Sequence, residues 1–114
     1  MVEAHGGLGE LLVALYLVIA ILSFAVAQRK GLPAWLTGTA HALLGVQIIM
    51  GIILYARHPH AMPISHVIVA LLTLPALGLI APLRSRLGRA RAVGVNTFLV
   101  AILAAIAVII AKTR

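Results

Sequence analysis

Four long apolar stretches dominate this chain of 114 residues and leave little choice of fold. They lie near residues 8–27, 34–56, 64–83 and 92–111, and each has about 20 residues, the length that a helix needs to cross the hydrocarbon core of a bilayer. A helix that is apolar on every side offers no face to water, and a soluble domain of this size has no core that hides four of them. We therefore predict one all-α domain, residues 1–114, that forms an integral membrane four-helix bundle with up-down-up-down topology.

The basic residues predict which way the bundle crosses the membrane. The loop between the first two spans carries Arg29 and Lys30, whereas the loop between the second and third carries only Arg57. The loop between the last two spans holds four arginines, Arg84, Arg86, Arg89 and Arg91. Because short cytoplasmic loops collect Lys and Arg, we expect the first and third loops in the cytoplasm, both termini outside, and the chain in the cell (inner) membrane.

Charge and composition exclude several classes of function. The formal net charge is +7, but the basic residues lie in loops without interleaved aromatic residues, so topology explains them better than nucleic-acid binding does. Cysteine is absent, which excludes disulfides, iron–sulfur clusters, thiolate zinc sites and c-type haem attachment. Basic residues follow the first apolar run rather than precede it, so we expect that run to stay attached and not to be cleaved as a signal peptide.

Internal similarity and one proline add detail to this picture. A shift of 56 residues aligns residues 13–15 with residues 69–71, as two hairpin repeats would, although apolar helices also align by chance. Pro75 lies midway through the third span, where we expect it to kink the helix and to free a backbone carbonyl.

Two of the five histidines are placed to bind one haem iron. His5 and His66 each stand where an apolar run begins, and the two runs cross the membrane in the same direction. Two imidazoles at equal depth on facing helices form the ligand set of a bis-histidine haem, so we predict His5 and His66 as axial metal ligands at the outer side. The alternative leaves His5 exposed beside Gly6 and Gly7, and His66 as an interfacial residue at a helix start.

A third histidine, His41, is predicted to lie inside the membrane. It precedes Tyr55 by 14 residues, which places it about 21 Å from the outer end of its span and too far away to share an iron with His66. An intramembrane histidine is costly to bury, so we expect it either to act in function or to bond across the bundle. Three residues are the candidate partners for such a bond, Thr37, Asn96 and Thr97.

The remaining histidines lie in the predicted outer loop. His58 and His60, together with Met62, offer ligands for copper or zinc. A His-Pro-His sequence in a short loop is equally typical of an exposed turn, and both alternatives stay open.

Four short motifs follow one another in an order that a known family shares. The chain has Glu-Ala-His at 3–5, a basic turn at 28–30, Gln-Ile-Ile-Met-Gly at 47–51 and Ser-His-Val-Ile-Val-Ala-Leu-Leu at 65–72. This order resembles one half of the haem A synthase family, whose members have two fused four-helix bundles. Each half of that family carries an acidic residue and His at the outer start of one helix, Gln-x-x-x-Gly in the next and a second His opening the third. The resemblance covers about residues 3–83.

The resemblance also implies roles for individual residues. It implies a site for haem b formed by His5, His66, Glu10, Gln47 and Gly51, with Glu3 as the alternative carboxylate. Gly6 stands where the family usually carries arginine. One bundle implies a single haem site, so oxidation of a haem methyl group by an oxidoreductase of the haem A synthase type would need a homodimer.

Three functions are therefore open. The first is a haem-b-binding membrane protein that transfers electrons, or handles haem during assembly of respiratory oxidases, as a homodimer or within a larger respiratory complex. The second is a cofactor-free accessory subunit that packs against a larger membrane complex. The third is a small proton-coupled transporter that uses Glu10, although this residue lies near the outer interface rather than at the midplane.

Overall fold

Helices account for nearly all of the described part of the chain. The computed structural model describes residues 2–25, 33–60 and 62–113. Five helices follow one another there, α1 (Val2–Ala25), α2 (Ala34–Arg57), α3 (Ile64–Gly78), α4 (Ile80–Leu87) and α5 (Arg89–Thr113), and these ranges contain no strand. The predicted all-α class is confirmed. The basic turn at 28–30 and the predicted end of the first span, at 26–27, lie outside the described residues.

Three helices of the described chain, α1, α2 and α5, are long and apolar enough to cross a membrane. The third predicted span, 64–83, is not one continuous helix, because α3 and α4 meet at Leu79 with a bend of 44°. If α3 and α4 count as one broken span, up to four crossings result. The helix α1 begins at Val2, earlier than the predicted start near residue 8, so His5 lies within a helix rather than ahead of one.

The bend between α3 and α4 follows from Pro82. The helix α3 continues through Pro75 and ends at Gly78. Pro82 has no N–H to donate to the carbonyl of Gly78, and its ring crowds that carbonyl, so a regular helix cannot pass through this turn. Just before the break, Nδ2 of Asn96 donates a hydrogen bond of 2.7 Å to the carbonyl of Ala76. The sharp bend therefore lies one turn after Pro75, where we expected a kink.

The packing of the helices centres on α5. The helix α5 contacts α1, α3 and α4. The helix α2 packs mainly against α1 and contacts α3 in few places. Contacting pairs run antiparallel, so the start of α1 lies beside the end of α5. We call this the terminal end. The opposite end, which holds Arg84 and Arg89, is the basic end.

This packing differs between the two hairpins of the proposed repeat. If α1–α2 and α3–α5 were symmetric copies, the contact of α1 with α5 would match the contact of α3 with α2. Instead α1 packs closely along α5, whereas α2 and α3 leave an open seam. The hairpins therefore do not pack as symmetric copies, and the weak sequence similarity has no counterpart in their mutual contacts.

The buried core is small and lies mainly between α1 and α5. Leu12, Tyr16 and Ile19 recur at helical spacing on one face of α1 and are buried against Val100 and Ala101 of α5. Small residues on α5 let the helices approach closely, as is common in membranes. A Cβ atom at Gly94 would lie 2.9 Å from two carbons of the Phe24 ring, so a larger residue there would have to displace that ring.

We expect Gly94→Leu to lower the free energy of unfolding by about 1–3 kcal/mol, because the added side chain overlaps the Phe24 ring. Gly38→Leu is the matched control, since a Cβ there meets nothing within 4 Å. Both changes gain the same helix propensity, so their difference isolates the packing. Equilibrium unfolding in detergent micelles measures it, and equal stabilities of the two variants would contradict the described contact of α1 with α5.

Candidate functional site

The structure brings His5 and His66 together at the terminal end. His5 lies near the start of α1 and His66 in the first turn of α3, and their ring centroids are 6.5 Å apart with the planes at 78°. Both side chains are partly buried. The two imidazoles that the sequence singled out thus lie side by side, although 60 residues separate them along the chain.

The hydrogen bond of His66 fixes which of its nitrogens carries the proton. Its Nδ1 lies 2.7 Å from the backbone carbonyl oxygen of Ala107 on α5. A carbonyl only accepts hydrogen bonds, so Nδ1 of His66 must carry the hydrogen and donate it. In the neutral ring, Nε2 then keeps its lone pair. Metal-binding histidines are commonly oriented by this kind of bond from the second ring nitrogen.

Gln47 and Gly51 of α2 lie against His5. Nε2 of Gln47 donates a hydrogen bond of 2.7 Å to the backbone carbonyl of His5. A Cβ atom at Gly51 would lie 3.0 Å from Cε1 of His5, and one at Gly9 would lie 3.0 Å from Nε2 of Gln47. Glycine at these two positions therefore leaves the room that the His5 ring and the Gln47 amide occupy.

Two buried polar atoms of this cluster have no hydrogen-bond partner among the described residues. They are Nδ1 of His5 and Oε1 of Gln47. A buried donor or acceptor without a partner costs free energy, so native proteins usually satisfy such atoms with a ligand or an ordered water. We call His5, His66, Gln47 and Gly51 the imidazole cluster. It thus contains two buried polar atoms that are available to hydrogen-bond a ligand or a water molecule.

Glu10 does not join the imidazole cluster. Its carboxylate forms an ion pair of 2.5 Å with Nζ of Lys112 near the end of α5, and its side chain is 55% exposed. Five residues of helix separate it from His5, which turns the two side chains about 140° apart around the axis of α1. Glu3 in the first turn of α1 is exposed as well. The carboxylate of Glu10, which the resemblance implies for the haem site, is therefore paired with Lys112 instead.

His41 bonds to a residue that the sequence analysis did not consider. Its Nδ1 shares a hydrogen bond of 2.8 Å with the hydroxyl of Tyr16, and the two rings stack with centroids 5.8 Å apart. Of the expected partners, Asn96 donates to Ala76, and Thr97 donates to backbone carbonyls of its own helix. The partner was predictable in principle, because Tyr16 and His41 lie at equal depth on antiparallel helices.

The remaining predicted ligands do not form a cluster. His58 and His60 are exposed at the end of α2 and in the turn that follows it. In the part of the chain that the structure describes, no three residues of the His, Asp and Glu types are grouped as a metal site would need. A site made of two imidazoles falls below that number.

Comparison with protein-family models, curated proteins and solved structures finds no match for this chain. The similarity to haem A synthases therefore stays a prediction that depends on the short motifs quoted above. Geometry adds two residues that those motifs do not contain, Ala107 as the acceptor for His66 and Lys112 as the partner of Glu10. Both lie on α5, where the resemblance is confined to an apolar span.

We expect Tyr16→Phe to destabilise the protein by about 0.6–1.7 kcal/mol, because the hydrogen bond to His41 is lost inside the bundle. Tyr55→Phe is the control, since Tyr55 lies at the end of α2 and is partly exposed. In a double-mutant cycle with His41→Leu, the two losses should not add. Additive losses in detergent unfolding experiments would show that the two side chains do not interact.

Proposed function

We propose that the chain is a haem-b-binding integral membrane protein in which His5 and His66 are the axial ligands. The observation that best supports this proposal is the distance of 6.5 Å between the ring centroids of the two imidazoles, at one end of the helices. The role that fits this ligand set is electron transfer, or the handling of haem during assembly of respiratory oxidases.

The donor chemistry of the imidazole cluster supports a haem iron. The ligand set consists of two imidazoles and carries no negative charge, because the chain has no thiol and Glu10 is paired elsewhere. The bond from His66 to Ala107 leaves Nε2 of that ring as the ligand atom. The unpartnered Nδ1 of His5 and Oε1 of Gln47 also indicate a site that a bound group would complete.

Each residue of the cluster has a separate task in this proposal. Ala107 orients the His66 ring through its carbonyl, and Gln47 ties α2 to the start of α1 through the backbone of His5. Gly51 leaves space for the His5 ring. Haem, when bound, supplies reversible one-electron transfer whose potential depends on the axial ligands and on burial.

The proposal includes a topology. The chain spans the cell (inner) membrane as a four-helix bundle in which α3 and α4 together form the third, broken crossing. Both termini and the imidazole cluster then lie at the outer side, and Arg84 and Arg89 lie at the cytoplasmic side. The charge distribution of the loops supports this orientation. If the chain is an enzyme, it is an oxidoreductase of the haem A synthase type, with a homodimer supplying the second site.

A second candidate is a cofactor-free accessory subunit of a larger membrane complex. The coverage of α2 favours it: 11% of the residues in the α2 span are buried, against 28% for α1 and 33% for α5. Lipid or another membrane protein would cover the remaining face. The contacts of Glu10 give no comparable support to a proton-coupled transporter, because its carboxylate is exposed at the terminal end and paired with Lys112.

The visible spectrum of the purified protein, supplied with haem, separates these candidates. We expect reduced-minus-oxidised bands of a six-coordinate low-spin haem from the wild type. His66→Ala and His5→Ala should each convert the spectrum towards a five-coordinate high-spin form, because one axial imidazole is lost. His58→Ala and His60→Ala, which remove exposed histidines of the same end, should leave the spectrum unchanged.

Circular dichroism of each variant checks that the helices are retained. A wild-type protein that stays colourless in the presence of haem would refute the haem proposal and favour the accessory subunit. A haem spectrum that neither His5→Ala nor His66→Ala alters would exclude the imidazole cluster as the binding site.

A further inference from the structure

A second polar site lies at the basic end, far from the imidazole cluster. A cleft of about 290 Å³ opens there between the first turns of α2, the break between α3 and α4, and the first turns of α5. Its polar lining comes from Thr37, His41, Arg84, Arg89, Asn96 and Thr97. His41 marks the depth of the cleft, because it lies seven residues, or about 10 Å, inside the start of α2.

The cleft exists because α4 bends away from α2. The 44° bend at Leu79 directs α4 along α5. The helices α2 and α3 contact each other in few places, which leaves the space between them open. Leu77 and Ile80, on either side of the break, contribute an apolar wall, and Val93 of α5 continues it. The cleft therefore has a cationic and polar part beside an apolar part.

The carboxylate side chains of the chain lie at the end opposite to Arg84 and Arg89. The chain has two acidic residues, Glu3 and Glu10, and both belong to the first half of α1 at the terminal end. Glu10 is 15 residues, about 22 Å, from Ala25 at the basic end of the same helix. The positive charge of Arg84 and Arg89 thus favours an anion from outside the chain.

The helix N-termini at the cleft also favour an anion. Both α2 and α5 begin at the basic end, so their first-turn N–H groups and the positive ends of their dipoles lie there. Together with the guanidinium groups of Arg84 and Arg89, they supply the kind of donors that a phosphate group prefers.

We propose that this cleft binds the phosphate group of an anionic amphiphile. Arg84 and Arg89 hold the phosphate, and the apolar part lies against Leu77, Ile80 and Val93. The same phosphate chemistry is found in an anionic phospholipid headgroup and in a soluble phosphate ester. The seam between α2 and α3 opens the cleft sideways towards the acyl chains, which gives a membrane lipid direct access.

Native mass spectrometry of the full chain in detergent micelles tests the site. The probes are phosphatidylglycerol, zwitterionic phosphatidylcholine and soluble glycerol phosphate. We expect one phosphatidylglycerol to bind in preference to phosphatidylcholine. Arg84→Gln with Arg89→Gln should weaken that binding at least about tenfold, because charge-assisted hydrogen bonds are lost.

Arg86→Gln with Arg91→Gln is the matched control. It removes the same charge from the same segment, at arginines that are exposed like Arg84 and Arg89 but do not line the cleft. Equal weakening by both pairs would show that the arginines attract anionic lipid only as a charged surface, and would overturn the proposal. Binding of glycerol phosphate that depends on Arg84 and Arg89, and competes with the lipid, would support the site and assign it a soluble ligand.

The lysine pair Arg84→Lys with Arg89→Lys covers the case in which the glutamine pair fails to fold. It keeps the charge and removes the planar, forked donor group, so phosphatidylglycerol should bind more weakly than to Arg86→Lys with Arg91→Lys. No difference between the two lysine pairs would count against the cleft. Because the cleft and the imidazole cluster lie at opposite ends, the absence of haem would not affect this result.

Discussion

The register of the helices depends on a few polar contacts that involve α5. Apolar helix surfaces slide past one another at little cost in a lipid environment, whereas a buried polar group needs its particular partner. Asn96 bonds to Ala76 near the basic end, and His66 bonds to Ala107 near the terminal end, so α3 is fixed on α5 at two depths. At the terminal end, Glu10 of α1 and Lys112 of α5 form an exposed ion pair, which restrains the register of α1 much less than a buried bond would. The two hydrogen bonds therefore set the depth at which the side chains of α3 lie against those of α5.

Much of this fold could be predicted from the sequence, because hydropathy and the rise of a helix determine depth. The three long helices and the placement of His5 and His66 at one end follow from that information alone. Direction around the helix axis does not, since a nearly uniform apolar surface carries no periodic signal. The sequence therefore did not predict that Glu10 pairs with Lys112 or that Tyr16 is the partner of His41. The sequence predicts a kink at Pro75, whereas the sharp bend lies at Leu79, because Pro82 has no N–H to donate to the carbonyl of Gly78.

The two ends of the bundle differ in the groups that they present. Among the described residues, the terminal end carries two imidazoles, an amide whose oxygen has no hydrogen-bond partner, and the ion pair of Glu10 with Lys112, which favours a ligand held by coordination and shape. The basic end carries guanidinium groups and helix N-termini, which favours a ligand held by charge. Neither site relies on a carboxylate, and the scarcity of acidic residues in the chain makes the contrast possible.

The one-sided attachment of α2 has a mechanical consequence. This helix packs mainly on α1, where two side-chain hydrogen bonds hold it, from Gln47 to His5 and between His41 and Tyr16. It contributes Gly51 at one end of the structure and His41 at the other. Elements with little buried surface are the ones that separate first from a folded protein. A swing of α2 about its contact line with α1 would therefore loosen both ends in a single motion, so that this helix couples the terminal end mechanically to the basic end.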